Sequence, residues 1–154
     1  MDEKSALHYM IGLLTGFSEL IKHGIIHRDI KPSNILMKGN EVKIADFGLS
    51  RYNDTLSSMN SSVGTPVYMA PQVLHNCWAE CKYSYKCDIW SFGVMCYELV
   101  SGEIPWKNIS QAEWKELYKI IKDQCTYGIR FPNDVDVSDA YFDLIRGCLK
   151  FEES

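Results

Sequence analysis

The first part of the chain repeats apolar positions with the period of an α-helix. Between residues 9 and 22, apolar side chains recur every three or four residues, which places them on one helix face. These side chains are Met10, Leu13, Leu14, Phe17, Leu20 and Ile21. Gly24 follows as a stop signal. Gly12 and Gly16 either weaken the helix locally or let a neighbouring element approach closely.

A short β-type pattern comes next. Residues 35–37 read as a strand, residues 38–40 as a turn, and residues 42–44 as a returning strand. Because a hairpin carries the chain out and back, Asn34 before it and Asp46 after it are expected at the same open edge. Hard amide and carboxylate oxygens side by side suit Mg²⁺ better than a soft metal.

The second half of the chain predicts more helices. Residues 88–100 are apolar around nearly the whole circumference, which is typical of a buried helix. Residues 111–123 are amphipathic. Ser138 is a predicted N-cap for a last helix over residues 139–150, with Phe142, Leu144, Ile145 and Leu149 facing inward. In contrast, the polar stretch of residues 50–62 predicts a long exposed loop, and such loops are usually functional.

Composition narrows the class of protein. A chain of 154 residues with 46% apolar residues suits one domain with a real core. The net charge of −4 argues against a nucleic-acid binder, which would carry a basic stripe. No apolar run approaches the roughly 18 residues needed to span a bilayer, and no secretory signal is visible. We therefore expect a cytoplasmic or nuclear protein with no nucleic-acid or membrane partner, whose six cysteines are free thiols.

Four motifs follow one another in a fixed order. His27-Arg28-Asp29 precedes Asn34, Asp46-Phe47-Gly48 comes after the hairpin, and Ala70-Pro71-Gln72 ends a turn-rich segment. Residues 88–93 then open the apolar helix. In this order and spacing the chain resembles the protein kinase family, from about residue 9 to residue 150. The resemblance implies a partial kinase domain over residues 1–154.

The implied fold is mainly α. It is the large C-terminal lobe of a kinase, a helical bundle around a buried central helix with a short β-hairpin carrying the metal site. The sequence Lys31-Pro32-Ser33-Asn34 resembles the Ser/Thr-specific version of the catalytic loop, and Gly64-Thr65 resembles the Ser/Thr substrate-docking loop. The expected activity is therefore transfer of phosphate from ATP to Ser/Thr hydroxyls of a protein substrate.

The resemblance also implies roles for individual residues. Asp29 would accept the substrate proton, Lys31 would offset charge on the transferring phosphoryl group, and Thr65 would contact both. Asn34 and Asp46 would hold Mg²⁺. The residues expected to contact ATP are Lys31, Ser33, Asn34, Leu36 and Asp46.

Other residues of the motifs are expected to be structural or regulatory. His27 is expected to stack on Phe47 and not to act as a base. Asp88 is expected to anchor the backbone of the catalytic loop. Arg28 suggests control by phosphorylation, because a phosphate on the polar loop would give it a doubly charged partner. The candidates for that phosphate include Ser57 and, as the favoured one, Ser61.

Some family features do not occur in these residues. There is no Gly-rich loop and no β3 lysine, so we expect the small N-terminal lobe to be absent. We also expect the family's closing helix, which should follow Leu149, to be absent. Gln72 stands where the family carries a glutamate. Without the small lobe, we expect the chain alone to have little or no activity. Two readings stay open: a catalytic lobe, whose partner could be a separate N-lobe or kinase, and a non-catalytic docking or regulatory module.

Overall fold

The computed structural model describes residues 1–52, 66–75, 84–107, 109 and 112–151. These residues form a mainly helical domain. The helices are α1 (Glu3–Lys22), α2 (Pro71–His75), α3 (Lys86–Ser101), α4 (Trp114–Tyr127) and α5 (Asp139–Cys148). The strands are β1 (Ile25–Ile26), β2 (Ile35–Lys38), β3 (Glu41–Ile44) and β4 (Arg51–Tyr52). Among the described helices, none combines the length and apolar character needed to cross a bilayer.

Helix α3 is the centre of the core, as its nearly continuous apolar surface predicts. Trp90, Phe92 and Val94 are all buried, and the helix packs against α1 on one side and α5 on the other. The Phe92 ring meets Phe17 of α1 edge to face, with ring centroids 5.8 Å apart. The helix ends as predicted at Gly102, which adopts a left-handed conformation with φ 75°. The prediction of a buried central helix is confirmed.

Helix α1 is longer than its predicted range and begins after Asp2, whose side chain accepts a hydrogen bond from the Ser5 amide. The core face consists of Ala6, Met10, Leu13 and Phe17. The prediction was wrong for two positions: Leu14 is 40% exposed and Ile21 is 45% exposed. Each follows an inward-facing residue by one position, which is a rotation of about 100° around the helix axis. Its side chain therefore points past the edge of the buried stripe.

The hairpin of β2 and β3 packs directly on α1. Ile35 pairs with Ile44 and Lys38 pairs with Glu41, as the predicted turn requires. A Cβ atom added to Gly12 would lie 2.6 Å from Val42 of β3, and one on Gly16 would lie 2.8 Å from Ile44. The two glycines therefore permit close approach of the hairpin, which is one of the two interpretations that the sequence left open.

The C-terminal helices follow the prediction in outline. Ser138 caps α5 by accepting from the Tyr141 amide, as predicted. Leu144 is 42% exposed, contrary to prediction, while Tyr141 is buried and donates to the carbonyl of Cys96 at 2.8 Å. A tyrosine can face the core here because the Cys96 carbonyl satisfies its hydroxyl. The short helix α2 has no counterpart in the sequence prediction, and α4 extends past the predicted end at residue 123.

Candidate active site

Asp88 of α3 anchors the loop between β1 and β2 through two hydrogen bonds. One carboxylate oxygen accepts from the backbone N–H of His27 at 2.7 Å, and the other accepts from that of Arg28 at 2.8 Å. Asp88 is buried, and this burial raises the pKa of its carboxyl above the ordinary value, although both N–H donors favour the charged form. The carboxylate thus sets where the loop starts.

Two residues of the site have left-handed backbones without being glycine. Arg28 has φ 67° and Asp46 has φ 61°. Such conformations cost non-glycine residues roughly 1–2 kcal/mol and persist where surrounding contacts impose them. Here the Asp88 bonds hold Arg28, and the end of the hairpin holds Asp46. Strain of this kind clusters at functional sites.

Asp29 has two polar partners on one of its oxygens. Lys31 Nζ lies 2.7 Å from Asp29 Oδ2, and Asn34 Nδ2 donates to the same oxygen at 3.0 Å. Asn34 Nδ2 also donates to the Asp29 carbonyl at 2.8 Å. The other oxygen, Oδ1, takes no hydrogen bond or ion pair from the described residues. Among the described residues, the polar contacts of the carboxylate therefore all lie on one of its two oxygens.

The hairpin brings Asn34 and Asp46 together. Ala45, which precedes Asp46, donates its N–H to the carbonyl of Asn34 at 2.9 Å. Asn34 is buried and its amide nitrogen faces Asp29, which leaves its side-chain oxygen as the remaining ligand atom. Asp46 is exposed and accepts from the Gly48 amide at 3.2 Å through Oδ1.

This donor set suits Mg²⁺ in its chemistry. Both ligand atoms are hard oxygens, one of them charged, and Mg²⁺ commonly takes one or two protein ligands with the rest from phosphates and water. Across the described ranges, no cluster of three or more His, Cys, Asp or Glu side chains could hold a metal by itself.

His27 is a packing residue in this arrangement. Its ring is fully buried, Nε2 donates to the Ala45 carbonyl at 3.0 Å, and Nδ1 accepts from the Asp29 amide at 3.4 Å. Phe47 meets the ring edge to face, with centroids 5.0 Å apart, and is not stacked on it. With both nitrogens occupied, His27 links the loop to the residues after the hairpin.

Arg28 connects the loop to the start of the polar segment. Its Nε donates to the Leu49 carbonyl at 2.7 Å, and strand β1 beside it pairs with β4. The side chain is 7% exposed. The three residues expected to work with this segment (Ser57, Ser61 and Thr65) lie outside the described residues.

Two of the predicted nucleotide contacts stand apart from the Asp29 cluster. Ser33 is exposed within the 3₁₀ turn Pro32–Asn34, and Leu36 is 54% exposed on β2. Both lie within two residues of Asn34 in the chain, but no hydrogen bond or ion pair within the described part of the chain links them to Asp29.

No sequence pattern indicated a set of bonds that hold Val67 and Tyr68 on α3 and on the loop that follows it. Trp106 Nε1 donates to the Val67 carbonyl, and the Ser91 hydroxyl donates to the Tyr68 carbonyl, both at 2.8 Å. The Tyr68 hydroxyl donates to Glu98 at 2.8 Å, and burial together with this carboxylate raises the Tyr68 pKa well above its usual range. The available signal was Glu98, the one charged residue among residues 89–100 of this largely apolar helix.

Comparison with known proteins agrees with the motifs. A family model described as the protein kinase domain matches residues 1–154. Calcium-dependent protein kinase 4 of Plasmodium berghei is 36% identical over 154 residues, which cover 97% of this chain and 28% of that protein. Serine/threonine-protein kinase ATG1c of Arabidopsis thaliana is also 36% identical, over 97% of this chain and 20% of its own length.

A third relative is more similar over a shorter stretch. Calcium-dependent protein kinase 3 of Plasmodium yoelii yoelii is 41% identical over 133 residues, or 83% of this chain and 23% of that protein. The chain thus spans about a quarter of the length of the kinases it matches. From the full-length family match and these relatives, the chain belongs to the protein kinase family.

Proposed function

We propose that this chain is the large lobe of a Ser/Thr protein kinase and supplies the side chains that transfer phosphate from ATP to a protein hydroxyl. The observation that carries the proposal is the arrangement around Asp29. One oxygen is held by Lys31 and Asn34, and the other takes no hydrogen bond or ion pair from the described residues. An acceptor held in this way can orient a hydroxyl and take its proton.

Lys31 has a second role in the proposal. Its ammonium lies against Asp29 and its side chain is only 20% exposed, so its charge is less screened than that of a fully exposed lysine. Phosphoryl transfer depends on positioning and on stabilising negative charge. Lys31 is therefore the cation that offsets charge on the transferring group, and Thr65 is proposed to contact both side chains.

Asn34 and Asp46 are the proposed magnesium ligands, with Lys31, Ser33 and Leu36 contributing to the nucleotide site. Bound Mg²⁺ would supply neutralising charge for the phosphates. The protein must keep the Asn34 amide oxygen and the Asp46 carboxylate at the same edge of the hairpin. The pairing of β2 with β3 supports this placement, as does the bond from Ala45 to Asn34.

Full activity is proposed to require a lobe that covers the nucleotide, whichever polypeptide carries it. The 154 residues contain no Gly-rich loop and no β3 lysine. Closing a site excludes water and strengthens its electrostatics, so these residues alone should transfer phosphate very slowly or not at all. Robust Asp29-dependent phosphorylation of a protein substrate by the purified chain would overturn this expectation.

Arg28 is proposed to couple activity to phosphorylation of residues 53–65, with Ser61 as the favoured site and Ser57 as a second candidate. A phosphate paired with this arginine would order the segment next to Asp29. We expect Ser61→Ala to lower peptide phosphorylation by the two-lobed kinase after activation. Equal rates for Ser61→Ala and wild type would remove Ser61 from the proposal.

Nucleotide binding separates the catalytic lobe from the alternative, a docking module without chemistry. We expect Mg²⁺·ATP at millimolar concentration to shift the backbone NMR signals of Asn34 and Asp46, and Asp46→Asn to weaken the effect. Asp123→Asn, an exposed carboxylate on α4, is the matched control. If the chain is folded and Mg²⁺·ATP shifts none of its backbone NMR signals, the result would instead favour the docking module.

A further inference from the structure

Two buried tryptophans stack on each other, and only one of them is hydrogen-bonded. Trp90 lies on α3 and Trp106 lies in the loop after α3, with ring centroids 5.6 Å apart and an angle of 15° between the ring planes. They are 2% and 3% exposed. Trp106 Nε1 donates to the Val67 carbonyl at 2.8 Å, whereas Trp90 Nε1 has no hydrogen-bond partner among the described residues. The stack therefore holds the segment around Val67 through one N–H group.

We call residues 66–69 the docking segment, because they follow Thr65 in the stretch that resembles the Ser/Thr substrate-docking loop. Pro66–Tyr68 is a short 3₁₀ turn, and the Met69 N–H closes it by donating to the Pro66 carbonyl at 3.1 Å. Met69 is buried, while the three residues before it are only partly buried. The docking segment is thus attached to the core but keeps part of its surface accessible to a partner.

Two consecutive carbonyl groups of the docking segment are held by side chains of the core. The Ser91 hydroxyl of α3 donates to the Tyr68 carbonyl at 2.8 Å, next to the bond from Trp106 to Val67. A carbonyl that loses its donor away from water is destabilised. Removal of the Trp106 N–H should therefore favour conformations in which the docking segment moves to let the Val67 carbonyl reach water.

We propose that Trp106 is a positioning residue for the protein substrate, because its N–H fixes the docking segment against which the substrate lies. The inference rests on the proposed kinase function, in which Thr65 contacts Asp29. Thr65 is joined directly to the docking segment, so a displaced segment moves the substrate contacts away from Asp29. Among the described residues, the Trp106 side chain has its one hydrogen bond to Val67, so nucleotide binding should not depend on it.

A positioning role of this kind has a kinetic signature. A contact that binds the peptide equally in the ground state and the transition state raises the KM for the peptide when it is lost, and leaves kcat unchanged. A merely structural role gives a different result. Partial unfolding reduces the amount of active enzyme, which lowers the apparent kcat while the KM of the remaining folded enzyme stays the same.

Peptide kinetics with two matched variants test the proposal in the two-lobed kinase, with a nucleotide-covering lobe joined ahead of residue 1. Trp106→Phe keeps an aromatic ring in the stack and removes the N–H. The KM for a serine peptide should rise about three- to tenfold, the equivalent of one net hydrogen bond, while kcat and the KM for Mg²⁺·ATP stay unchanged. Trp90→Phe removes the same atoms from the other ring, whose N–H has no partner among the described residues, and should change none of these values.

Hydrogen exchange in the 154-residue chain gives a second readout that needs no activity. Trp106→Phe should accelerate exchange of the Met69 amide, whose bond closes the docking segment, and Trp90→Phe should not. Equal exchange of this amide in Trp106→Phe and wild type would contradict the hold of Trp106 on the segment.

The kinetic outcomes separate this inference from the proposed function. If the wild-type kinase transfers phosphate and Trp106→Phe has an unchanged peptide KM, the role of Trp106 alone is overturned. The same follows if Trp90→Phe raises the KM equally, because ring volume and not the N–H would then matter. A folded wild-type protein that transfers nothing would overturn the proposed function and, with it, the role of Trp106 in substrate binding.

Circular dichroism checks that each variant is folded. Should Trp106→Phe unfold, Ser91→Ala still decides, because it releases the neighbouring Tyr68 carbonyl of the docking segment. An unchanged peptide KM in Ser91→Ala would then show that the hold on the docking segment does not set the affinity for the substrate.

Discussion

At the scale of single residues, three aspartates divide the work of the candidate site according to their partners. Asp88 is buried and binds two backbone N–H groups. Asp29 is partly buried and shares one oxygen between Lys31 and Asn34. Asp46 is exposed with a left-handed backbone. Asp88 anchors the loop. In the proposed function the different surroundings would let Asp29 accept a proton and Asp46 bind a metal.

Asp88→Asn should destabilise the fold. An amide has only one accepting oxygen, so one of the two loop N–H groups loses its partner and meets an NH₂ group. An unsatisfied buried donor costs about 1–3 kcal/mol. Urea unfolding should report this loss, and Asp123→Asn on the surface of α4 should show none. A stability equal to that of wild type would mean that Asp88 does not anchor the loop.

Residue identities were more predictable than residue contacts. Asp29, Asn34 and Asp46 were named because their motifs resemble those of the protein kinase family, and the structure places the Asn34 amide against Asp29. The bond from Trp106 to Val67 joins positions far apart in the chain, and no local pattern encodes such a pair. Tertiary packing alone brings them together.

At the scale of elements, the position of the hairpin depends on how closely α1 allows it to approach. Val42 and Ile44 of β3 lie over Gly12 and Gly16 of α1. Asp46 follows β3 directly, so the distance between helix and hairpin also determines where this carboxylate lies. A side chain on either glycine would push the hairpin away.

Gly12→Ala should therefore destabilise the chain although alanine is the better helix former. The added Cβ would lie 2.6 Å from Val42 Cγ2 and 2.7 Å from Val42 Cβ, which leaves no flexible atom to yield. Overpacking costs about 1–3 kcal/mol, more than the ~1 kcal/mol gained in helix propensity. Thermal unfolding measures the balance. Val42→Gly removes both contacted atoms, so Gly12→Ala should cost less in that background than in wild type. A Gly12→Ala single variant more stable than wild type would contradict the close approach.

The presence of the helices was predictable from the sequence, but the residues of each helix that face the core were predictable only in part. The long apolar periods of α1, α3 and α5 predicted their presence. Leu14 and Leu144 were wrongly predicted to face the core. The apolar face that the sequence period defines is wide, and the packing of neighbouring elements decides which edge of that face is buried. The five-residue helix α2 is too short for any period to reveal.

At the scale of the whole molecule, α3 holds together parts of the site that are distant in sequence. Asp88 fixes the loop of Asp29, while Ser91 and Glu98 fix the segment around Tyr68. Loss of α3 packing would release both at once. The site should therefore persist until global unfolding and not melt separately.

Stability should fall as the pH rises above about 9. Burial raises the pKa of Cys125 to about 12 and that of Cys148 to about 11, from an ordinary value of 9.0. The folded state then keeps thiol protons that the unfolded state has released, so the free energy of unfolding declines over this window. Urea unfolding at pH 8 and pH 10 measures it. The double variant Cys125→Ala/Cys148→Ala should decline less, and an equal slope would contradict the assignment.

The most direct test of the central claim is phosphate transfer with the nucleotide covered. The nucleotide-covering lobe of one matched kinase is joined ahead of residue 1, and transfer from Mg²⁺·ATP to a serine peptide is measured. We predict transfer by the wild-type sequence and a loss of about 100-fold or more in Asp29→Asn, with Mg²⁺·ATP binding retained. An Asp29→Asn variant as fast as wild type, or a folded, Mg²⁺·ATP-binding protein that transfers nothing, would contradict the account.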